Sequence, residues 1–202
     1  MTLVSRYTVI CLYLIVVSAA IVLSAFLTIA CYGNTEETAE FDPESSRIAT
    51  IEISSPSFVD GGDIPVEYTC DGRNISPALR WSDVPSSTRS IAIIVDDPDA
   101  AGHIFRHWSV YNVPSGTRSL NAERPTTTEL KNSTRQGQND FGDTGYNGPC
   151  PPKGQRHEYV FFIYALSEQL ELEENPSPTQ VSAALRGKVL GTGSFSGMYA
   201  RR

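Results

Sequence analysis

The chain has 202 residues, of which 40% are hydrophobic and 19% charged, with a formal net charge of −7. This length and balance suit one domain with a real core and exclude a compositionally disordered chain. The acidic sign excludes sequence-independent nucleic-acid binding, which needs a basic face to displace counterions, yet leaves room for a local anion pocket.

Residues 1–31 stand apart from the rest. Val9 to Ala30 carries no charged side chain, and only Arg6 precedes it. Two readings stand. Leu27-Thr28-Ile29-Ala30-Cys31 resembles a bacterial-type lipobox, which would make Cys31 a lipidation site after export, although Thr28 sits where that pattern prefers Leu. Alternatively the segment stays as a transmembrane anchor, because about 20 apolar residues span a bilayer. Both readings tie the protein to a membrane with the following domain outside the cytoplasm. Residues 32–46 include NTEETAEFDPESS, acidic and nearly free of apolar side chains, and read as a flexible tether.

Residues 47–202 read as one domain. Arg47 to Ser54 and Pro65 to Thr69 alternate and are rich in β-branched residues, so both read as strands. Leu79-Arg80-Trp81 places two large apolar residues on one face of a short strand. SIAIIV over 90–95 is too short for a helix and reads as a buried strand; WSVYN over 108–112 and YVFFIYAL over 159–166 follow the same logic. Thr179 to Leu185, after Pro178, is a short helix, and Lys188 to Tyr199 a closing strand made irregular by glycines. Residues 114–147 form a long connection without a clear element, the kind of segment that is functional or mobile. No helices alternate with the strands. The expected class is therefore mainly β, an antiparallel two-layer core with one or two short helices near the C-terminus.

The polar punctuation beside these strands carries the chemistry. Asp96-Asp97-Pro98-Asp99 ends the run SIAIIV, so a carboxylate there sits on a rigid element; an ordinary acidic turn explains the same residues. His107 and His157 each stand at the mouth of a strand, near an aromatic residue. His103 and His107 are four apart, but that is a metal-ligand spacing only on a helix, and here a strand begins. Gly148-Pro149-Cys150-Pro151-Pro152 is a rigid bend whose glycine lets backbone approach a ligand. Cys70 and Cys150 either pair in an oxidising compartment or stay as two small buried thiols. Asn74-Ile75-Ser76 and Asn132-Ser133-Thr134 fit the N-glycosylation pattern. No cofactor motif is present.

Together these segments resemble the phosphatidylethanolamine-binding protein family, in its bacterial and archaeal Raf-kinase-inhibitor-like branch. The likeness covers about residues 50–202. It rests on Tyr68-Thr69-Cys70-Asp71-Gly72 with Ile75-Ser76-Pro77-Ala78-Leu79, on Val95 to Ala100, on His107-Trp108 with Asn112-Val113-Pro114, on Gly145 to Gly154, on His157 with Tyr159, and on Gly197-Met198-Tyr199. The resemblance implies a β core with a small anion pocket. Asp97 looks like its carboxylate, His107 and His157 its imidazoles, Tyr159 a lining phenol, Gly148 and Pro149 its wall, and Tyr199 a residue at the mouth. Glu158 stands where the family usually has Arg, and Ala101 where it has Pro. The implied function is non-enzymatic binding of a small anionic or zwitterionic head group, such as phosphate or phosphoethanolamine, tightening as pH falls and the imidazoles gain protons. The alternatives are a protein-interaction regulator, as relatives inhibit kinases or serine proteases, and a hydrolase using His107 and Asp97 as an acid/base pair.

Overall fold

The computed structural model describes residues 48–202. The anchor or signal segment, the acidic tether and the lipidation site at Cys31 lie outside the described residues.

Ten strands and one helix build the domain. In chain order they are β1 (Ala49–Thr50), β2 (Ile53–Ser54), β3 (Gly62–Asp63), β4 (Leu79–Trp81), β5 (Ser90–Asp97), β6 (Phe105–Pro114), β7 (Ser119–Leu120), β8 (Arg135–Gln136), β9 (Arg156–Leu166), α1 (Pro178–Leu185) and β10 (Val189–Ala200). The larger sheet runs β1-β10-β9-β5-β6-β8, with β3 also on β10; the smaller runs β2-β4-β7. The long strands pair antiparallel as expected, while β1 and β3 join β10 in parallel.

Strand alternation divides the apolar residues between two clusters. Ile91, Ile93 and Val95 of β5 join Phe161 and Ile163 of β9 and Phe195 of β10 on one face of the large sheet, against Ile53, Leu79, Trp81 and Leu120 of the small sheet. Ala92 and Ile94 face the other way, with Tyr111, Leu166 and the helix residues Val181 and Leu185. Every residue of β5 is buried, which is why its sequence shows a continuous apolar run rather than alternation.

The helix matches its sequence signals. Ser177 accepts from Gln180 N, and the Gln180 side chain accepts from the Ser177 N–H, a reciprocal cap ahead of Pro178. Val181 and Leu185, one turn apart, are the residues it buries.

Two expectations are corrected and a third is narrowed. Arg47 to Ser54 is not one strand: β1 enters the large sheet and β2 the small one, and the chain crosses between layers at buried Ile51. Pro65 to Thr69 is not a strand; Val66–Tyr68 forms a 3-10 turn, closed by the Thr69 N–H on the Val66 carbonyl. Lys188 to Tyr199 is irregular only at its start: β10 pairs along Val189–Ala200 with one register shift, between Val189 and Gly191. Its Gly193 admits the neighbouring chain: a Cβ there would lie 1.9 Å from the Ile51 carbonyl oxygen.

Candidate functional site: two imidazoles, a carboxylate and a buried phenol

The site grows from one end of the large sheet. Asp97, the last residue of β5, continues the Ile91, Ile93, Val95 face by the period of two. His157 and Tyr159 continue the Phe161, Ile163 face of β9 in the same way. Strand pairing sets Asp96 opposite Val160, so Asp97 arrives beside Tyr159 and His157.

His107 reaches the same place through an irregularity. Val95 pairs with Trp108 and Asp96 with Arg106, so His107 is an extra residue in β6, a β-bulge. A second shift between Ile91 and Ile93 involves Tyr111 and Asn112, and Asn112 takes φ 55°. Bulges re-aim side chains beside sites. Here both His107 and the adjacent Trp108 contact the first apolar cluster, which strict alternation forbids.

The polar contacts are short and buried. Asp97, 4% exposed, accepts from His157 Nδ1 at 2.7 Å through Oδ2 and from the Asp99 N–H at 2.9 Å through Oδ1. One carboxylate oxygen thus closes the acidic turn and the other meets His157. His157 Nε2 lies 3.2 Å from Gln155 Oε1. His107 Nδ1 donates to the Asn147 carbonyl at 2.7 Å. Burial pushes the His107 imidazole below the usual histidine range, outweighing the opposing pull of that carbonyl and of the Asp97 and Asp96 charges.

Tyr159 sits between the imidazoles, edge-on to His107 with ring centroids 5.1 Å apart and near-parallel to His157 at 6.5 Å. It is 0% exposed, and its hydroxyl makes no well-formed hydrogen bond, although the Asp97 carboxylate and the Cys150 backbone lie close to it. Burial, then the Asp97 charge, raises this phenol well above the tyrosine range, so it stays a proton donor.

Gly148 and Pro149 are buried beside the cluster. A Cβ on Gly148 would lie 2.1 Å from the Tyr68 carbonyl oxygen. The Cys70 N–H donates to the Pro149 carbonyl at 3.1 Å, and Cys70 and Cys150 form a disulfide. Of the two cysteine alternatives, the structure therefore has the bonded one. Tyr199 is opposite His157 in the β9–β10 register, but its hydroxyl donates to Asp71 at 2.8 Å, and Asp71 also receives Arg201. It lines a neighbouring cavity of about 560 Å³ with Asp63, Ile64, Val66 and Asp71. Among the described residues no three His, Cys, Asp or Glu side chains gather as a metal site; exposed His103 lies beside Phe105 instead.

Residues 54–200 match the family model described as phosphatidylethanolamine-binding protein. The chain belongs to that family. A UPF0098 protein of Aquifex aeolicus is 46% identical over 155 residues, 76% of this chain and 90% of its own length. The crystal structure of Escherichia coli YbcL, itself described as a member of the mammalian family, superposes with a TM-score of 0.71 at 34% identity, covering 76% of this chain and 100% of that one. A Mycobacterium tuberculosis protein named as a candidate lipoprotein, LppC, is 33% identical over 177 residues, 83% of this chain and 85% of its own.

The two departures from the family pattern fall on the rim. Glu158 is half-buried and its N–H donates to Asp99 Oδ2 at 2.8 Å, so its backbone still serves the Asp-Pro-Asp turn. Ala101 lies exposed in the bend after that turn. Sequence reasoning missed Asn74, Asn147, Gln155 and the aromatic pair Phe105 and Phe141, whose rings both come within 5.3 Å of His107. Asn147 and Asn74 lay in motif segments, so only their roles were hidden, while Gln155 fell in the gap between Gly154 and His157. Phe141 lay inside the long connection and carried no signal.

Proposed function

We propose that this domain is a non-enzymatic binding module for a small anionic or zwitterionic head group, phosphate-like or phosphoethanolamine-like, held outside the cytoplasm by its N-terminal segment. One observation supports the reading most: the Tyr159 hydroxyl is a buried donor without a well-formed hydrogen bond, set between two imidazoles beside a carboxylate. Buried polar groups are normally paired, and an exception calls for an occupant. With Nδ1 committed to Asn147, protonated His107 would offer an anion its Nε2–H, and Tyr159 its O–H. Asp97 would face an ammonium group. The disulfide suits an oxidising compartment, and the name of the mycobacterial relative suits a lipid anchor.

The test is calorimetric titration of the full chain, solubilised in mild non-ionic detergent, with inorganic phosphate, phosphoethanolamine and sulfate. Saturable binding lost in both His107→Ala and His157→Ala is the expected result; no binding by the folded protein removes the proposal. Sulfate keeps its charge across the range and isolates the protein's own titration. Because burial holds free His107 below its ordinary value and a bound anion would raise it, sulfate affinity should climb as pH falls below neutrality. A flat profile would rule out His107 as the titrating donor.

A further inference from the structure

The wall of the site runs through Tyr146 to Cys150, which form no strand or helix. One peptide group in it is nevertheless gripped at both ends. The Asn147 carbonyl accepts from His107 Nδ1 at 2.7 Å, and the Gly148 N–H of the same peptide donates to Asn74 Oδ1 at 2.8 Å. Asn74 Nδ2 also donates to Asn147 Oδ1 at 3.0 Å, and Asn147 Nδ2 donates to Asp143 Oδ2 at 2.8 Å.

Steric fit explains why this grip matters. Position 148 needs glycine, since a Cβ would strike the Tyr68 carbonyl. Glycine accepts either sign of φ, so the peptide before it turns over at little cost. A turned peptide would withdraw the carbonyl from His107, leaving Nδ1 buried without its acceptor or letting the proton move to Nε2. The hydrogen bond from Gly148 to Asn74 opposes that turn, and bonds at both ends of one peptide polarise each other.

We propose that Asn74 is a positioning residue of the site: it holds the Gly148 N–H, thereby aims the Asn147 carbonyl at His107, and keeps Nε2 as the ring nitrogen open to a ligand. The ligand part of this inference rests on the proposed binding function; the positioning part does not. In the triplet Asn74-Ile75-Ser76, legible as a glycosylation site, the two polar side chains bond to other parts of the domain, although Asn74 itself is exposed. Both polar atoms of Asn74 are bonded, and Ser76 Oγ accepts from the Arg124 N–H at 2.9 Å.

Asn74 sits at φ 57°, a region that Gly, Asn and Asp tolerate best. Asn74→Gly therefore deletes the side chain without strain, and Asn74→Asp keeps an acceptor for Gly148. Two readouts on the full chain in detergent separate the claims: ¹⁵N NMR of the His107 ring without ligand, and phosphate titration. The wild type should carry the proton on Nδ1. Asn74→Gly should show mixed tautomers and bind phosphate about three- to tenfold more weakly, with Asn74→Asp restoring most of both. Asn74→Ser, too short to reach, gives the same reading if the glycine variant does not fold. A wild-type tautomer in the variants that lack the acceptor overturns the positioning, whatever happens to binding. A shifted tautomer with no phosphate binding even in the wild type upholds it and removes the binding function instead.

Discussion

Tyr159 shows at the scale of one residue how a site and a stable core make opposite demands. A buried hydroxyl without a partner costs about 1–3 kcal/mol, and nothing in the core requires it, because a phenyl ring fills the same space. Tyr159→Phe should therefore leave the urea midpoint unchanged or raise it, while phosphate affinity falls about tenfold. The reverse pattern, lost stability with intact affinity, would mean that the hydroxyl serves the fold. His107 tells a related story. Its neutral form is favoured by burial, so under the proposed binding function the ring would gain a second donor by taking up a proton together with the anion.

The elements explain why neighbouring residues of one motif do different work. Asp97 and Asp96 are adjacent, yet β alternation sends them to opposite faces of the sheet. Asp97 joins the site, while Asp96 pairs in bidentate fashion with Arg106, which also reaches Ser109 and Ser182 of α1. Both partners of that pair are buried. Breaking it with Arg106→Met would leave an uncompensated charge and should cost about 3–5 kcal/mol in urea unfolding, whereas Asp96→Leu combined with Arg106→Met should recover most of the loss. If the single change costs under about 1 kcal/mol, the pair is solvated and has no part in seating the helix. The two bulges of β6 act at this scale too. One brings His107 onto the face shared by Trp108, and the other breaks alternation again, so that Val110 and Val113, three apart, are buried on one face.

Across the whole molecule, the disulfide joins positions 80 apart in sequence and fastens the Tyr68–Asp71 segment to the wall of the site. Three backbone and side-chain bonds run alongside it: Cys70 N–H to Pro149, Tyr146 hydroxyl to the Tyr68 carbonyl, and Gly148 N–H to Asn74. Closing so long a loop removes about 4 kcal/mol of unfolded-chain freedom. The Cys70→Ala, Cys150→Ala double variant should lose stability on that order and bind phosphate more weakly, because the Asn147 carbonyl is then held by fewer bonds. Unchanged stability in the double variant, or under dithiothreitol, would show that the core and the hydrogen bonds hold the two segments without it.

The sequence by itself determined the class of fold, the long central strands, the capped helix and most of the site. Those features are written in local periodicity and in short motifs, and local pattern survives folding. The resemblance carried by those motifs, and not periodicity, named Asp97, His107, His157 and Tyr159 as candidates, and the structure brings them together. Tertiary structure decided what no local pattern contains: that Ile51 marks a crossing between sheets, that β1 and β3 add in parallel to β10, that Cys70 and Cys150 are bonded, and that Tyr199 spends its hydroxyl on Asp71. It also decided the register shift that brings His107 into the site and the contact between Asn74 and a peptide 73 residues away. Each depends on which distant segment packs alongside, and a residue's own neighbours in sequence place no constraint on that choice.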